Sequence, residues 1–326
     1  MSSKNVIVKN NLVYLNVSGM WCVYDSKKEP LGAGAMGTVY YGFLRDSNIP
    51  VAIKKVKDEY SNDKNIRNRA RQEASLKFRH RNLIEMIGLC EWDSDNGPIF
   101  IVSKYVHGDT LDNFVQQKLC HLSNIKRSKT ICNMIMPIFD ALSYLHANNI
   151  LHMDIKPSNI MVENGSNIRL MDLGIANTEA YKLANTSNMM GTPKYAAPEQ
   201  FGHMGTNEGI DTRSDIYELS VTIYELLSNN NPFLSNTFGE LVEKHKTLLL
   251  PYHPSIPKTI MEVLRKAAHP NKQMRYNNIA DFRYAFKNAI FMLDDNHEEG
   301  SKKWVALVVS LFLLLIGFFI FYMIML

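Results

Sequence analysis

Apolar residues recur with a period of two in short runs near the start of the chain and at helical spacing over most of the remainder. Val13, Leu15 and Val17 alternate with their neighbours, which predicts a strand. Val51-Ala52-Ile53 and Ile99-Phe100-Ile101-Val102 are apolar and largely β-branched, and predict two more. Between them, Ile66, Ala70 and Ala74 mark one side of a helix. Residues from about 21 to 102 therefore read as a small sheet-rich lobe with one main helix. Residues from about 105 to 290 read as mainly helical. Ile131, Ile135, Ile138, Leu142 and Leu145 share one helix face, and Pro137 within that pattern predicts a kink or a late start. Ile216 to Leu227 is apolar on most faces, as expected of a buried central helix. The fold class this implies is α+β.

The last apolar run differs in kind. Trp304 to Leu326 is 23 residues without a charge. A helix of that length reaches roughly 34 Å at about 1.5 Å per residue, enough for a ~30 Å hydrocarbon core. Trp304 and Tyr322 suit the two interfaces, and Lys302 with Lys303 marks the cytoplasmic side. This predicts a single C-terminal membrane anchor, with residues 291–303 as a charged linker to it. The expected location is a membrane, single-pass, with the folded part cytoplasmic and the lipid bilayer a partner through 304–326.

Composition narrows the picture further. At 326 residues the chain accommodates a two-lobed enzyme plus a tail, and a hydrophobic fraction of 46% supports a large core. A net charge of +4 with scattered basic residues argues against a nucleic-acid partner. Cys22, Cys90, Cys120 and Cys132 lie far apart, with no CxxC pair, and read as reduced thiols. The polar N-terminus has no apolar signal-peptide core.

Candidate chemistry is concentrated in His152-Met153-Asp154-Ile155-Lys156-Pro157-Ser158-Asn159, followed by Asp172-Leu173-Gly174. Upstream stand Leu31-Gly32-Ala33-Gly34-Ala35-Met36-Gly37-Thr38-Val39 and Val51-Ala52-Ile53-Lys54; downstream stands Ala197-Pro198-Glu199. A glycine-rich turn alone is a weak signal, and an Asp in a loop is ordinarily a turn residue. Here the glycines precede a strand pattern, unlike a dinucleotide fingerprint, in which they open a helix. Glu73 falls on the Ile66–Ala70–Ala74 stripe, and a carboxylate on an inward face requires a cation, for which Lys54 is the candidate.

At these residues the sequence resembles the eukaryotic-type Ser/Thr protein kinase family over about residues 24–290. The resemblance implies a bilobal fold: an extension over 1–23, an N-lobe over about 24–104, a C-lobe over about 105–290, and beyond them the linker and the transmembrane helix 304–326. It implies ATP, with Mg2+ (or Mn2+) as counter-ion, and protein substrates. Gly32, Gly34 and Gly37 would bring backbone amides to the phosphates. Leu31, Val39 and Ala52 would form the adenine slot, with Met161 as its floor. Ser103, Lys104, Tyr105 and Val106 resemble the gate and the hinge. Lys54, paired with Glu73, would meet the α and β phosphates. Asp154 would be the base or the hydroxyl-orienting group, with Lys156 screening the transferred phosphoryl. Asn159 and Asp172 would hold metal.

The resemblance also implies that Thr192 bonds near Asp154 and Lys156, that Glu199 pairs with Arg275, and that Asp215 caps the catalytic-loop backbone. Met153 stands where the family usually has arginine, which suggests less dependence on phosphorylation of the activation segment, where Thr186 and Ser187 are candidate sites. Leu173 replaces the usual phenylalanine. The expected function is a membrane-anchored Ser/Thr kinase. The alternative is a nucleotide-binding pseudokinase scaffold, which loss of Lys54, Asp154, Asn159 or Asp172 would have favoured. Lys156 and Gly191-Thr192 disfavour a tyrosine kinase, and Ala197-Pro198-Glu199 disfavours a small-molecule kinase.

Overall fold

A computed structural model describes residues 5–34, 36–75, 78–172, 193–201 and 209–293. The small lobe is an antiparallel sheet. Its strands are β1 (Val6–Lys9), β2 (Leu12–Val17), β3 (Met20–Asp25), β4 (Gly32–Ala33), β5 (Gly37–Leu44), β6 (Pro50–Val56), β7 (Met86–Glu91) and β8 (Ile99–Lys104). They lie in the order β1-β2-β3-β5-β6-β8-β7, with β4 paired to β5. The alternation at Val13, Leu15 and Val17 forms β2, and all three side chains are buried. They share a core with Cys90, Phe100 and Val102 of β7 and β8. The sheet curls so that its first residues reach its last strand: Cys90 Sγ donates to the Asn5 carbonyl at 3.3 Å. Strand β3 runs across positions 23 and 24, so the leading hairpin is continuous with the lobe.

Helix α1 (Lys64–Ser75) packs on this sheet with Ile66, Ala70 and Ala74 turned inward. Its register is fixed by Arg67, which is 1% exposed. The guanidinium donates to the carbonyls of Ser94 (3.1 Å), Gly97 (3.0 Å), Ser61 and Asp93, and pairs with Glu91 at 3.0 Å. Five fixed donors let one arginine bind the whole β7–β8 turn, where a lysine would reach only part of it.

The large lobe contains α2 (Leu111–Lys118), α3 (Asn124–Ala147), α4 (Thr212–Ser228), α5 (Phe238–Thr247), α6 (Lys258–Ala267) and α7 (279–293). A three-stranded sheet of β11 (Asn167–Leu170), β10 (Ile160–Glu163) and β9 (Gly108–Thr110) lies beneath the interlobe cleft. Helix α3 runs through Pro137 instead of starting there. Proline removes one backbone donor from the helix interior. The buried face, from Ile131 through Leu145, outweighs that loss. Helix α4 is buried along almost its whole length, as its apolar sequence predicts. Asp211 caps its N-terminus by accepting from the Arg213 amide, Asn229 ends it at φ 55°, and Arg127 binds the Leu226 and Leu227 carbonyls there.

Three of the four cysteines are buried, which keeps their thiols protonated at neutral pH: burial pushes Cys22 up to about 11 and Cys90 and Cys132 up to about 12. Cys120 is exposed. No helix among the described residues is long and apolar enough to cross a membrane. The anchor expected over 304–326 lies outside the described residues, as do Leu173, Thr186, Ser187 and Thr192.

Candidate active site

The strand registers assemble the upper wall of the cleft. Side chains two apart on a strand share a face, so Ala52 and Lys54 of β6 point the same way. Across the ladder, Val39 lies opposite Lys54, and Ser103 opposite Ala52. Leu31 donates its amide to the Val39 carbonyl at 2.8 Å and Gly34 donates to Gly37 at 2.8 Å, which folds the glycine-rich segment back over the cleft. The glycines differ in their requirement. A Cβ on Gly37 would strike the Lys55 carbonyl, whereas one on Gly32 or Gly34 would meet no atom closer than 3.9 Å. Gly37 is needed for strand packing, while Gly32 and Gly34 border open space at the mouth of the cleft.

Below this wall lies a cavity of about 590 Å³. Every site residue expected from the sequence lines it except Glu73. Glu73 sits in α1, and its side chain lies outside the described set. At the hinge, Lys104 donates its amide to Glu85 (2.9 Å) and Tyr105 donates to Pro50 (3.2 Å). The Val106 amide has no partner among the described residues. Met161 of β10 lies opposite Thr110 and forms the lower surface.

The polar end of the cavity is built on one loop. Asp154 accepts from Lys156 Nζ at 2.8 and 3.0 Å, and from Asn159 Nδ2 at 2.8 Å. Asn159 Nδ2 also reaches the Asp154 carbonyl at 2.8 Å. With the amide nitrogen turned to Asp154, the amide oxygen of Asn159 is the acceptor that this cavity-lining residue has left to offer. Lys54 Nζ meets Asp172 Oδ2 at 3.3 Å. The Lys54 charge holds the Asp172 carboxyl below its ordinary value, so it is ionised at neutral pH. No group of three His, Cys, Asp or Glu side chains among the described residues forms a protein-only metal cage. One carboxylate and one amide oxygen beside a cation is the donor set suited to a hard ion that also binds phosphate.

The loop backbone is held from beneath. Met153 and Asp172 both adopt positive φ, at 65° and 54°. Such conformations persist only where surrounding contacts over-determine them. For Met153, Asp215 of α4 provides such contacts, accepting from the amides of His152 and Met153, each at 2.9 Å, and bonding His146 Nε2 at 2.7 Å. His152 is fully buried, and desolvation keeps it below its ordinary pKa. As a neutral ring it donates Nε2–H to the Met171 carbonyl at 3.1 Å, linking the loop to Asp172. Glu199 and Arg275 form a bidentate pair at 2.7 and 3.0 Å, as expected.

The sequence profile of the protein kinase domain family matches residues 25–286. The chain belongs to that family. Its kinase domain is 30% identical over 267 residues to the serine/threonine-protein kinase PrkC of Bacillus subtilis, covering 79% of this chain and 39% of that protein. It is 29% identical over 286 residues to PknH of Mycobacterium tuberculosis, covering 86% of this chain and 44% of that one. The chain thus spans less than half the length of these curated relatives. Among solved structures, a single-substitution form of the Mycobacterium tuberculosis PknI kinase domain superposes with a TM-score of 0.62 at 21% identity, covering 89% of this chain and 99% of that one. That likeness supports the bilobal fold.

Three polar residues of the kinase domain escaped sequence reading. Arg67 sits in a helix where arginine is ordinarily solvated. Glu218 lies inside the apolar run of α4 at 1% exposure, and Gln200 follows Glu199 at 4%. The one available signal was a charge within the Ile216–Leu227 run, since a buried acid needs partners.

Proposed function

We propose that this chain is an active Ser/Thr protein kinase that transfers the γ-phosphoryl of ATP to protein hydroxyls and is held at a membrane by residues 304–326. The observation that carries the reading is the convergence of Lys54, Asp154, Lys156, Asn159 and Asp172 on one cavity beneath a glycine-rich hairpin. The names of the relatives support the serine/threonine assignment, as does Lys156 bonded to Asp154.

In this reading, ATP lies with adenine between Val39, Ala52 and Met161 and bonds the Val106 amide. Lys54 binds its phosphates. Asn159 and Asp172 would hold Mg2+, which when bound neutralises charge on the phosphate oxygens. Asp154 accepts a hydrogen bond from the substrate hydroxyl and orients it in line, while Lys156 keeps that carboxylate placed and faces the transferred group. Little covalent work falls to the protein; positioning and charge carry the rate. Retention of all four residues whose loss marks a pseudokinase favours transfer over scaffolding.

The protein without residues 304–326, given labelled ATP and Mg2+, is expected to phosphorylate itself or a generic basic protein on serine and threonine, read by phosphopeptide mass spectrometry. Label confined to tyrosine, or none at all, would reject the assignment. The same deletion is expected to move the protein from the membrane pellet to the supernatant. Retention in carbonate-washed membranes would count against the anchor.

A further inference from the structure

The mechanism leaves one buried acid unused. Glu218 lies one turn beyond Asp215 on α4, and both are essentially inaccessible to water. Two carboxyls at that spacing repel, and burying either is costly unless it is hydrogen-bonded. Each is. Where Asp215 takes the amides of 152 and 153, Glu218 Oε2 takes the Ile155 amide at 2.7 Å, and Thr222, one turn on, donates to the Ile155 carbonyl at 2.9 Å. Ile155 stands between Asp154 and Lys156.

The second oxygen of Glu218 turns away from this loop. It accepts from Gln200 Nε2 at 2.8 Å, and the amide oxygen of Gln200 accepts from the Ala197 N–H. The Ala197 bond fixes which end of the Gln200 amide faces which partner. A continuous buried chain therefore runs from Ala197, at the start of the Ala197-Pro198-Glu199 segment, through Gln200 and Glu218 to Ile155. An apolar side chain at 218 would fill the same space without the cost of burying an acid. What it would lose is the connection.

We propose that Glu218 is a positioning residue, which with Gln200 ties the placement of the Ala197–Glu199 segment to that of Asp154 and Lys156. The proposal rests on the kinase reading above for its consequence in turnover, but the coupling itself is structural and measurable without turnover.

The test uses the full chain in detergent micelles and the donor–acceptor pattern of the relay. Glu218→Gln keeps an acceptor for Ile155 but sets an NH2 group against that of Gln200. Turning the Gln200 amide only moves the conflict to the Ala197 N–H. Adding Gln200→Glu re-pairs every group, because the new carboxylate accepts both from Ala197 and from the new amide at 218. Amide hydrogen exchange in peptides covering 152–156 and 196–200 is expected to accelerate together in Glu218→Gln, by about tenfold. In the double variant both are expected to return towards wild type. In parallel, kcat is expected to fall by about tenfold or more in the single variant, with KM for ATP changed less than about twofold, and to recover in the double variant. If Glu218→Gln does not fold, Gln200→Leu cuts the same chain from its other end and is expected to speed exchange in both segments. Exchange that rises in one segment only, or a double variant no better than the single, overturns the proposal. A wild-type protein that transfers no phosphate while the exchange pattern holds overturns the kinase reading and leaves the relay standing.

Discussion

Asp154→Asn is expected to cut phosphoryl transfer by about 10²–10⁴-fold while leaving ATP affinity nearly unchanged. The substitution preserves size and can still accept from Lys156 or Asn159, the two side chains that hold Asp154 in place. It removes the negative charge and the ability to take a proton from the attacking hydroxyl. Nothing that grips the nucleotide in the proposed mechanism depends on that charge: the adenine slot, the Val106 amide, Lys54 and Asp172 are untouched. Initial rates with labelled ATP, beside calorimetric titration with a non-hydrolysable analogue, separate the two effects. Wild-type turnover in the variant would remove Asp154 from its assigned role.

The second large effect concerns stability. Arg275→Met is expected to destabilise the large lobe by about 3–5 kcal/mol, because it strands a buried carboxylate. Arg275 and Glu199 are 0% and 4% exposed, and the guanidinium also binds the carbonyls of His269, Pro270 and Arg213. On the scale of a domain this size the melting temperature should fall by about 10 °C.

The pH dependence gives a sharper check. Burial alone would raise the Glu199 carboxyl, but the hydrogen bonds and charge of Arg275, helped by Ser214, hold it below its ordinary 4.5. A lowered folded pKa contributes stability that is fully present above the unfolded value and is lost as pH falls through the folded one. In the variant that contribution is gone, and the stranded carboxyl takes up a proton more readily than in the unfolded chain. The gap between wild type and Arg275→Met should therefore be widest near neutrality and narrow on acidification, beginning above about 4.5 as the variant's stranded carboxyl protonates and continuing below it as the wild-type carboxyl does. A gap independent of pH would mean that lost packing, and not the ion pair, sets the cost.

The cavity-lining polar residues were legible because they are local. Lys54 lies within a strand of fixed register, and Asp154, Lys156 and Asn159 fall within six consecutive positions. Short-range spacing of this kind survives in the sequence. The alternation in β2 was equally readable, because a half-buried strand writes its two faces into successive residues. What sequence could not supply was the convergence of distant backbone. Arg67 looks like any helical arginine until the β7–β8 turn folds its carbonyls around it, and that turn is about thirty residues away. Glu218 reads as an interruption of an apolar helix until Ile155 and Gln200 arrive at its two oxygens. Of the two outcomes Pro137 allowed, a late helix start did not occur: that local preference was overruled by the packing of the face it shares.

The leading hairpin changes where the folding unit begins. The family correspondence opens at residue 25, yet Val6, Val13, Leu15, Val17 and Cys22 belong to the same interior as Val51, Phe100 and Val102. Trimming the chain to the homologous span would strip one wall from that interior and leave the inner surfaces of β7 and β8 wet. Fragments intended for crystals or binding assays should keep the first strands, since here the evolutionary module and the cooperative unit do not share a starting point.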